Sequence, residues 1–193
     1  MNLIGIAGTN GSGKDTLGQI LADKYGYLFI SVTDILRDEL KRRGLPLSRR
    51  FMGELSAEWR RAYGLGVLVD RAWAIYNEEA DKYRGLAIAS IRNPGEVDRI
   101  HELDGEVVWV DALPETRFER IQANRTIRGA ERSVDDNKTF KQFLSDEKVE
   151  MHYSGDQATL NLTEVKEKSD IFIENNSNKV ESLLDKVENS LSL

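Results

Sequence analysis

Gly8-Thr9-Asn10-Gly11-Ser12-Gly13-Lys14-Asp15-Thr16 follows directly on the apolar run Leu3-Ile4-Gly5-Ile6-Ala7, and this join of strand and glycine-rich turn decides how the rest of the chain is read. Glycines let the backbone turn tightly with its N–H groups pointing inward. Lys14 adds a mobile positive charge, and a helix beginning here aims the positive end of its dipole at the same point. An anion of polyphosphate size fits such a loop, which makes Gly8, Asn10, Gly11, Ser12, Gly13, Lys14, Asp15 and Thr16 candidate nucleotide-binding residues. The stretch departs by one residue from G-x-x-x-x-G-K-[ST], because Asp15 stands in the hydroxyl position and Thr16 follows it.

Working outward, the 193 residues exceed the usual size of one compact domain, and no linker or repeat divides them, so a single domain spanning 1–193 with excursions is expected. There are no cysteines and only two isolated histidines, His101 and His152, which leaves no disulfide framework and no ordinary zinc set. No apolar stretch approaches bilayer length and no basic leader precedes the first strand, so a cytoplasmic protein without a membrane partner is expected. A net charge of −6 argues against a broad nucleic-acid surface. All 16 arginines lie between Arg37 and Arg132, whereas the chain from Ser133 onward carries 7 lysines and no arginine. Arginine is a rigid fork of donors suited to phosphate, so the middle of the chain is expected to handle a phosphorylated small molecule. The competing reading is arginines on solvated helix faces paired with nearby glutamates.

Apolar periodicity predicts strands at 2–7, 27–31, 86–91, 106–111 and 170–174. Helices are predicted at about 13–24, over a long region from 33 to 83 broken near Gly44-Leu45-Pro46 and Gly64-Leu65-Gly66, and at 114–124, 138–151, 160–168 and from 178 onward. Asn93-Pro94-Gly95-Glu96 is a further helix start, with a capping side chain, proline in the first turn and glutamate three residues after the cap. Residues 125–137 are polar and arginine-rich without periodicity, and are read as a loop or flap. Strands separated by helices imply a three-layer α/β/α fold with a five-stranded parallel sheet and ligands at the carboxyl ends of its strands. Ser31-Val32-Thr33-Asp34 after the second strand, Arg92 after the third and Asp111 at the end of the fourth then share one crevice with the glycine-rich loop.

These residues resemble the nucleoside monophosphate kinases of the P-loop class, adenylate kinase among them. The extra position in Gly13-Lys14-Asp15-Thr16 is similar to theirs, and Ser31-Val32-Thr33-Asp34-Ile35-Leu36-Arg37 looks like the segment that opens their monophosphate-binding helices. Ile91-Arg92-Asn93-Pro94 sits where that family has an aspartate-glycine-x-proline-arginine turn, and Val110-Asp111-Ala112-Leu113-Pro114-Glu115 resembles its fourth-strand exit. Dephospho-coenzyme A kinases share the loop and the layout, although their aspartate-alanine-aspartate pattern after the second strand is missing. The long basic segment from Ser48 to Gly64 resembles uncharacterised kinase-like ATPases of the AAA family and deoxynucleotide kinases, and Ala89-Ser90 replaces the family's usual acidic residue.

The resemblance implies ATP and Mg2+ as cofactors, a helical acceptor-binding arm at about 32–83, and a short lid at about 125–137. It implies phosphoryl transfer to a nucleoside or deoxynucleoside monophosphate, with dephospho-coenzyme A as the competing acceptor. Lys14 and the loop amides would hold the donor phosphates and Thr16 the metal. Asp34, Arg37, Arg60 and Arg92 would fix the acceptor. Arg120 and Arg125, with Arg128 and Arg132 on the nucleotide side, would close over the transferring group. A reading of a different class is an ATPase switch whose basic arm docks on an RNA or protein partner.

Overall fold

The computed structural model describes residues 2–124, 138–152 and 154–191. Its strands are β1 (Asn2–Gly8), β2 (Tyr27–Ser31), β3 (Gly85–Ile91), β4 (Glu106–Asp111) and β5 (Ile171–Glu174). They pair in parallel in the order β2-β3-β1-β4-β5. Parallel neighbours need long crossovers, and nine α-helices among the described residues supply them. These are α1 (Lys14–Tyr25), α2 (Val32–Arg42), α3 (Arg49–Tyr63), α4 (Val67–Glu78), α5 (Pro94–Glu102), α6 (Pro114–Ala123), α7 (Phe140–Met151), α8 (Leu162–Lys168) and α9 (Val180–Ser190). The three-layer arrangement expected from the apolar pattern is the one observed.

Side-chain alternation along each strand feeds two cores. Leu3, Leu86, Ile88, Val107 and Trp109 face α2, α3, α4, α5 and α8. Their neighbours Ile4, Ile6, Ala87, Ala89, Val108 and Val110 face α1 and α9, where Leu17, Ile20, Leu21, Leu183 and Val187 meet them. With both faces covered, all of β3 is buried, which is why it reads as a continuous apolar run. The long helical region divides where glycine and proline foretold. Gly44 adopts φ 66 after α2 and Gly64 adopts φ 100 after α3, and the Ser48 hydroxyl caps α3 by accepting the N–H of Phe51. The capping box at the start of α5 is also present: Asn93 Oδ1 accepts the N–H of Gly95 at 2.9 Å and the Glu96 carboxylate accepts that of Asn93 at 3.1 Å.

Two helices stand at the carboxyl end of the sheet. α6 packs on α7 through Phe118, Phe140 and Phe143, whose ring centroids lie 5.4 to 6.3 Å apart. Through this contact α7, remote in sequence, reaches the loop after β1.

Candidate active site

β1 ends in Gly8, at φ 135, where an added Cβ would lie 1.9 Å from the Val110 carbonyl oxygen on β4. Gly13, at φ 103, then begins α1 as its N-cap residue. Between them four successive carbonyls are each drawn away by a side chain. Lys14 Nζ donates to Thr9 O at 2.5 Å, Arg117 Nη1 to Asn10 O at 3.4 Å, Arg120 Nη1 to Gly11 O at 3.5 Å, and Asn175 Nδ2 to Ser12 O at 2.8 Å. Holding the carbonyls outward turns the N–H edge of the loop inward, the geometry of an anion-binding nest. The N–H groups of Lys14, Asp15 and Thr16 open α1 and so have no carbonyl one turn earlier in the helix. The Thr9 hydroxyl braces the loop further by donating to Asp111 Oδ1 at 2.6 Å.

Arg117 is the central strut. Nearly inaccessible, it donates from Nε to Ala112 O at 2.8 Å and forks onto the Glu147 carboxylate of α7. Lys14 is also buried, and burial together with Arg92 pushes its ammonium down to about 7; Asp15 and Glu150 oppose that shift and Arg49 adds to it. A buried lysine so poorly compensated is one that a bound polyanion would return to its ordinary charged state.

The loop forms one wall of a cavity of about 420 Å³. Asn10, Gly11, Gly13, Lys14, Asp15 and Thr16 line it on one side, and Arg37, Arg49 and Arg92 on the other, with Val32, Leu36, Leu47, Met52 and Leu160 supplying apolar surface. Arg120 and Asn124 close it near α6. Opposite the loop, the register of β3 against β1 slips, and Ser90, skipped by the pairing, adopts φ 70. Such a left-handed residue costs about 1 to 2 kcal/mol outside glycine, and it lies on the cavity wall, where strained residues cluster at functional sites. Two residues on, Arg92 Nη1 donates to Glu150 Oε2 at 2.7 Å, while Arg49 Nη1 reaches Glu150 Oε1 at 3.1 Å. The two guanidinium groups and Lys14 hold the Glu150 carboxyl below its usual range against the opposing effect of burial, which is the largest single influence on it.

The structure therefore brings Gly8, Asn10, Gly11, Gly13, Lys14, Asp15, Thr16, Arg37, Arg92 and Arg120 together around one loop and cleft. Ser12 belongs to the loop but is fully buried and outside the cavity lining. Two of the expected acceptor residues are placed differently from the others. Arg60 touches the cavity wall, but its guanidinium is committed: Nε and Nη2 donate to Glu96 Oε1 at 3.2 and 2.7 Å, and Nη1 to Ala158 O at 2.9 Å and Ser56 Oγ at 3.2 Å. The pair is buried at 2% and 0% exposure, so Arg60 ties the arm to α5 rather than standing ready for an acceptor. Asp34 is outside the cavity lining and 66% exposed, and it holds Arg37 Nη1 at 2.7 Å; Thr33 faces the cavity in its place. Arg125, Arg128, Arg132 and the lid at 125–137 lie outside the described residues. Glu150, Arg117 and Asn175 were missed. Glu150 sits in Asp146-Glu147-Lys148-Val149-Glu150, which reads as a solvated helix face, and nothing local marks it.

Residues 4–141 match the model of a family described as AAA domain. The chain is 30% identical over 157 residues to UPF0200 protein MMP1282 of Methanococcus maripaludis, covering 80% of each chain. It is 28% identical over 194 residues to UPF0200 protein MJ1399 of Methanocaldococcus jannaschii, covering 99% of this chain and 93% of that one. Among solved structures it resembles shikimate kinase from Bacteroides thetaiotaomicron, with a TM-score of 0.60, 15% identity, and coverage of 97% and 96%. Shikimate kinase from Acinetobacter baumannii in complex with shikimate superposes with a TM-score of 0.51 at 18% identity, over 97% and 90% of the two chains. The fold is thus that of P-loop kinases, and the chain belongs to the AAA-domain family of P-loop proteins together with its UPF0200 relatives.

Proposed function

We propose that the protein transfers the terminal phosphoryl group of ATP to a small phosphorylated acceptor of nucleotide type: a nucleoside or deoxynucleoside monophosphate, or dephospho-coenzyme A. The observation that carries this reading is the single cavity in which the loop residues and Lys14 face Arg37, Arg49 and Arg92 across an apolar wall. Phosphoryl transfer asks a protein chiefly to hold two anionic groups in line and to neutralise charge as it spreads. The loop amides and Lys14 serve the donor phosphates, and Arg120, beside the Gly11 carbonyl, serves the nucleotide side of the transferring group. Arg37 anchors the acceptor, Arg49 and Arg92 shape the same wall with Glu150, and the arm at about 32–83 carries much of the acceptor's pocket.

A divalent cation fits as well. The Thr16 and Asp15 side chains are exposed to the cavity at the head of α1 and offer hard oxygen donors. No cluster of three or more His, Cys, Asp or Glu occurs among the described residues. That suits Mg2+, which takes one or two protein oxygens and completes its shell with water and phosphate; when bound it would neutralise charge on the donor phosphates.

The test is ADP release by purified protein with Mg2+-ATP over a panel of nucleoside and deoxynucleoside monophosphates and dephospho-coenzyme A. Acceptor-dependent release, lost in Lys14→Ala, is the expected result. Hydrolysis indifferent to every acceptor but stimulated by RNA would reverse the assignment in favour of an ATPase switch.

A further inference from the structure

Every arginine that the acceptor wall presents already has a carboxylate partner. Arg37 pairs with Asp34 at 2.7 Å, Arg60 with Glu96 at 2.7 Å, Arg92 with Glu150 at 2.7 Å and Arg49 with Glu150 at 3.1 Å. Of these carboxylates, only that of Glu150 lines the cavity. It is 17% exposed and lies close enough to Lys14, the anchor of the donor phosphates, for the two groups to influence each other's ionisation.

A fixed carboxylate in that place suits one kind of nucleophile and opposes another. A phosphate oxygen is already anionic at neutral pH, has no proton to lose, and is repelled by a neighbouring carboxylate. A hydroxyl must shed a proton, and an aspartate or glutamate beside it is the standard recipient in phosphoryl transfer to alcohols. Arg49 and Arg92 each donate one hydrogen bond to a carboxylate with about four acceptor positions, so lone pairs stay available for a hydroxyl hydrogen. The acceptor's own phosphate then falls to Arg37, whose partner Asp34 is solvated and weakly held.

We propose that Glu150 is a catalytic residue that accepts the proton of an acceptor hydroxyl, so that the substrate is a phosphorylated compound with a free hydroxyl and the product is a new phosphomonoester. This rests on the phosphoryl-transfer function proposed above. In the step, the hydroxyl oxygen forms a bond to the γ-phosphorus and the bond from that phosphorus to the β,γ-bridging oxygen breaks. The electron pair leaves on ADP, and the hydroxyl proton passes to Glu150 and then to solvent.

The test follows Mg2+-ATP turnover by the full chain with nucleoside 5′-monophosphates and dephospho-coenzyme A as probes, and identifies the product by 31P NMR. A new phosphomonoester resonance, additional to the 5′-phosphate that the monophosphate probes already carry, is expected; a phosphoanhydride formed on the acceptor's phosphate would overturn the proposal, and this measurement needs no variant. Glu150→Gln, shown to be folded by thermal unfolding, is expected to lower kcat about 100-fold to 10,000-fold, the usual worth of general base catalysis, with acceptor KM within about threefold. A kcat within about threefold of wild type would overturn it as well. If Lys14→Ala abolishes acceptor-dependent ADP release while Glu150→Gln keeps it, the hydroxyl assignment alone fails. If no probe elicits ADP release from the wild type, both assignments fail together.

Discussion

Raising the pH should loosen ADP from this protein in a way that Lys14 alone dictates. Burial and the facing Arg92 bring its ammonium to about 7 in the free protein, whereas a bound diphosphate supplies the counter-charge that restores its ordinary value of 10.5. Binding must then take up a proton wherever free Lys14 is neutral. At pH 8 about nine-tenths of free molecules are neutral there, so about 0.9 proton is absorbed per ADP. Between pH 7 and 9 the apparent affinity should fall about fiftyfold, approaching tenfold, or about 1.4 kcal/mol, per unit at the alkaline end. The terminal phosphate of ADP, with a second ionisation near 6, is already charged across that window and contributes little. Calorimetric titration with ADP in buffers of different ionisation enthalpy measures the uptake directly. An uptake below about 0.2 proton at pH 8, or an affinity flat from pH 7 to 9, would refute the argument that the loop lysine waits uncompensated for its ligand. The same linkage acts on folding. Because the folded value lies below the unfolded 10.5, the unfolded chain binds more protons between about 7 and 10.5, and Lys14's destabilising contribution shrinks as pH climbs through that interval while staying at full size below it.

Three further outcomes follow from packing. Lys14→Met removes a buried ammonium while keeping its bulk, so it should raise the Tm of the ligand-free protein by a few degrees and erase the stabilisation that ADP gives the wild type, as differential scanning calorimetry would show. Arg60→Ala leaves Glu96 buried and unpaired and should cost about 3 to 5 kcal/mol in denaturant unfolding, whereas Arg37→Ala, on a half-solvated pair, should cost under 1 kcal/mol and raise acceptor KM; equal costs would contradict the separate tasks given to these arginines. Gly8→Ala drives a Cβ into the Val110 carbonyl at 1.9 Å in a backbone region closed to alanine, so a loss above about 3 kcal/mol, or no soluble protein, is expected on expression and urea unfolding.

What could be read from the chain and what could not divide along the distance over which the physics acts. The loop from Gly8 to Thr16, the breaks at Gly44 and Gly64 and the capping box at Asn93 are local, set by backbone freedom and hydrogen bonds within a few residues, and the structure contains each of them. That the sheet is parallel and covered on both faces followed from strands separated by helices, and β3 is buried throughout, whereas the order β2-β3-β1-β4-β5 rests on pairings between distant strands that no local pattern carries. The arginines were a different matter. Arg37 and Arg60 look alike in the sequence, and only burial against Glu96, 36 positions away, turns one into a structural tie. Glu150 meets Arg92 and Arg49 from 58 and 101 positions away, and no periodicity carries such a meeting. Asp34 looked like a ligand because it follows β2, yet the turn of α2 places Thr33 toward the cleft and leaves Asp34 on the solvent side.

Helix α7 carries Glu147 and Glu150 one turn apart, the first clasping the arginine that holds the Asn10 carbonyl and the second clasping Arg49 and Arg92. The loop rim and the Arg49–Arg92 rim of the cleft are thus hung from one girder. A tilt of that girder would shift both at once, so a substitution along α7 is expected to disturb the two sides of the cleft together.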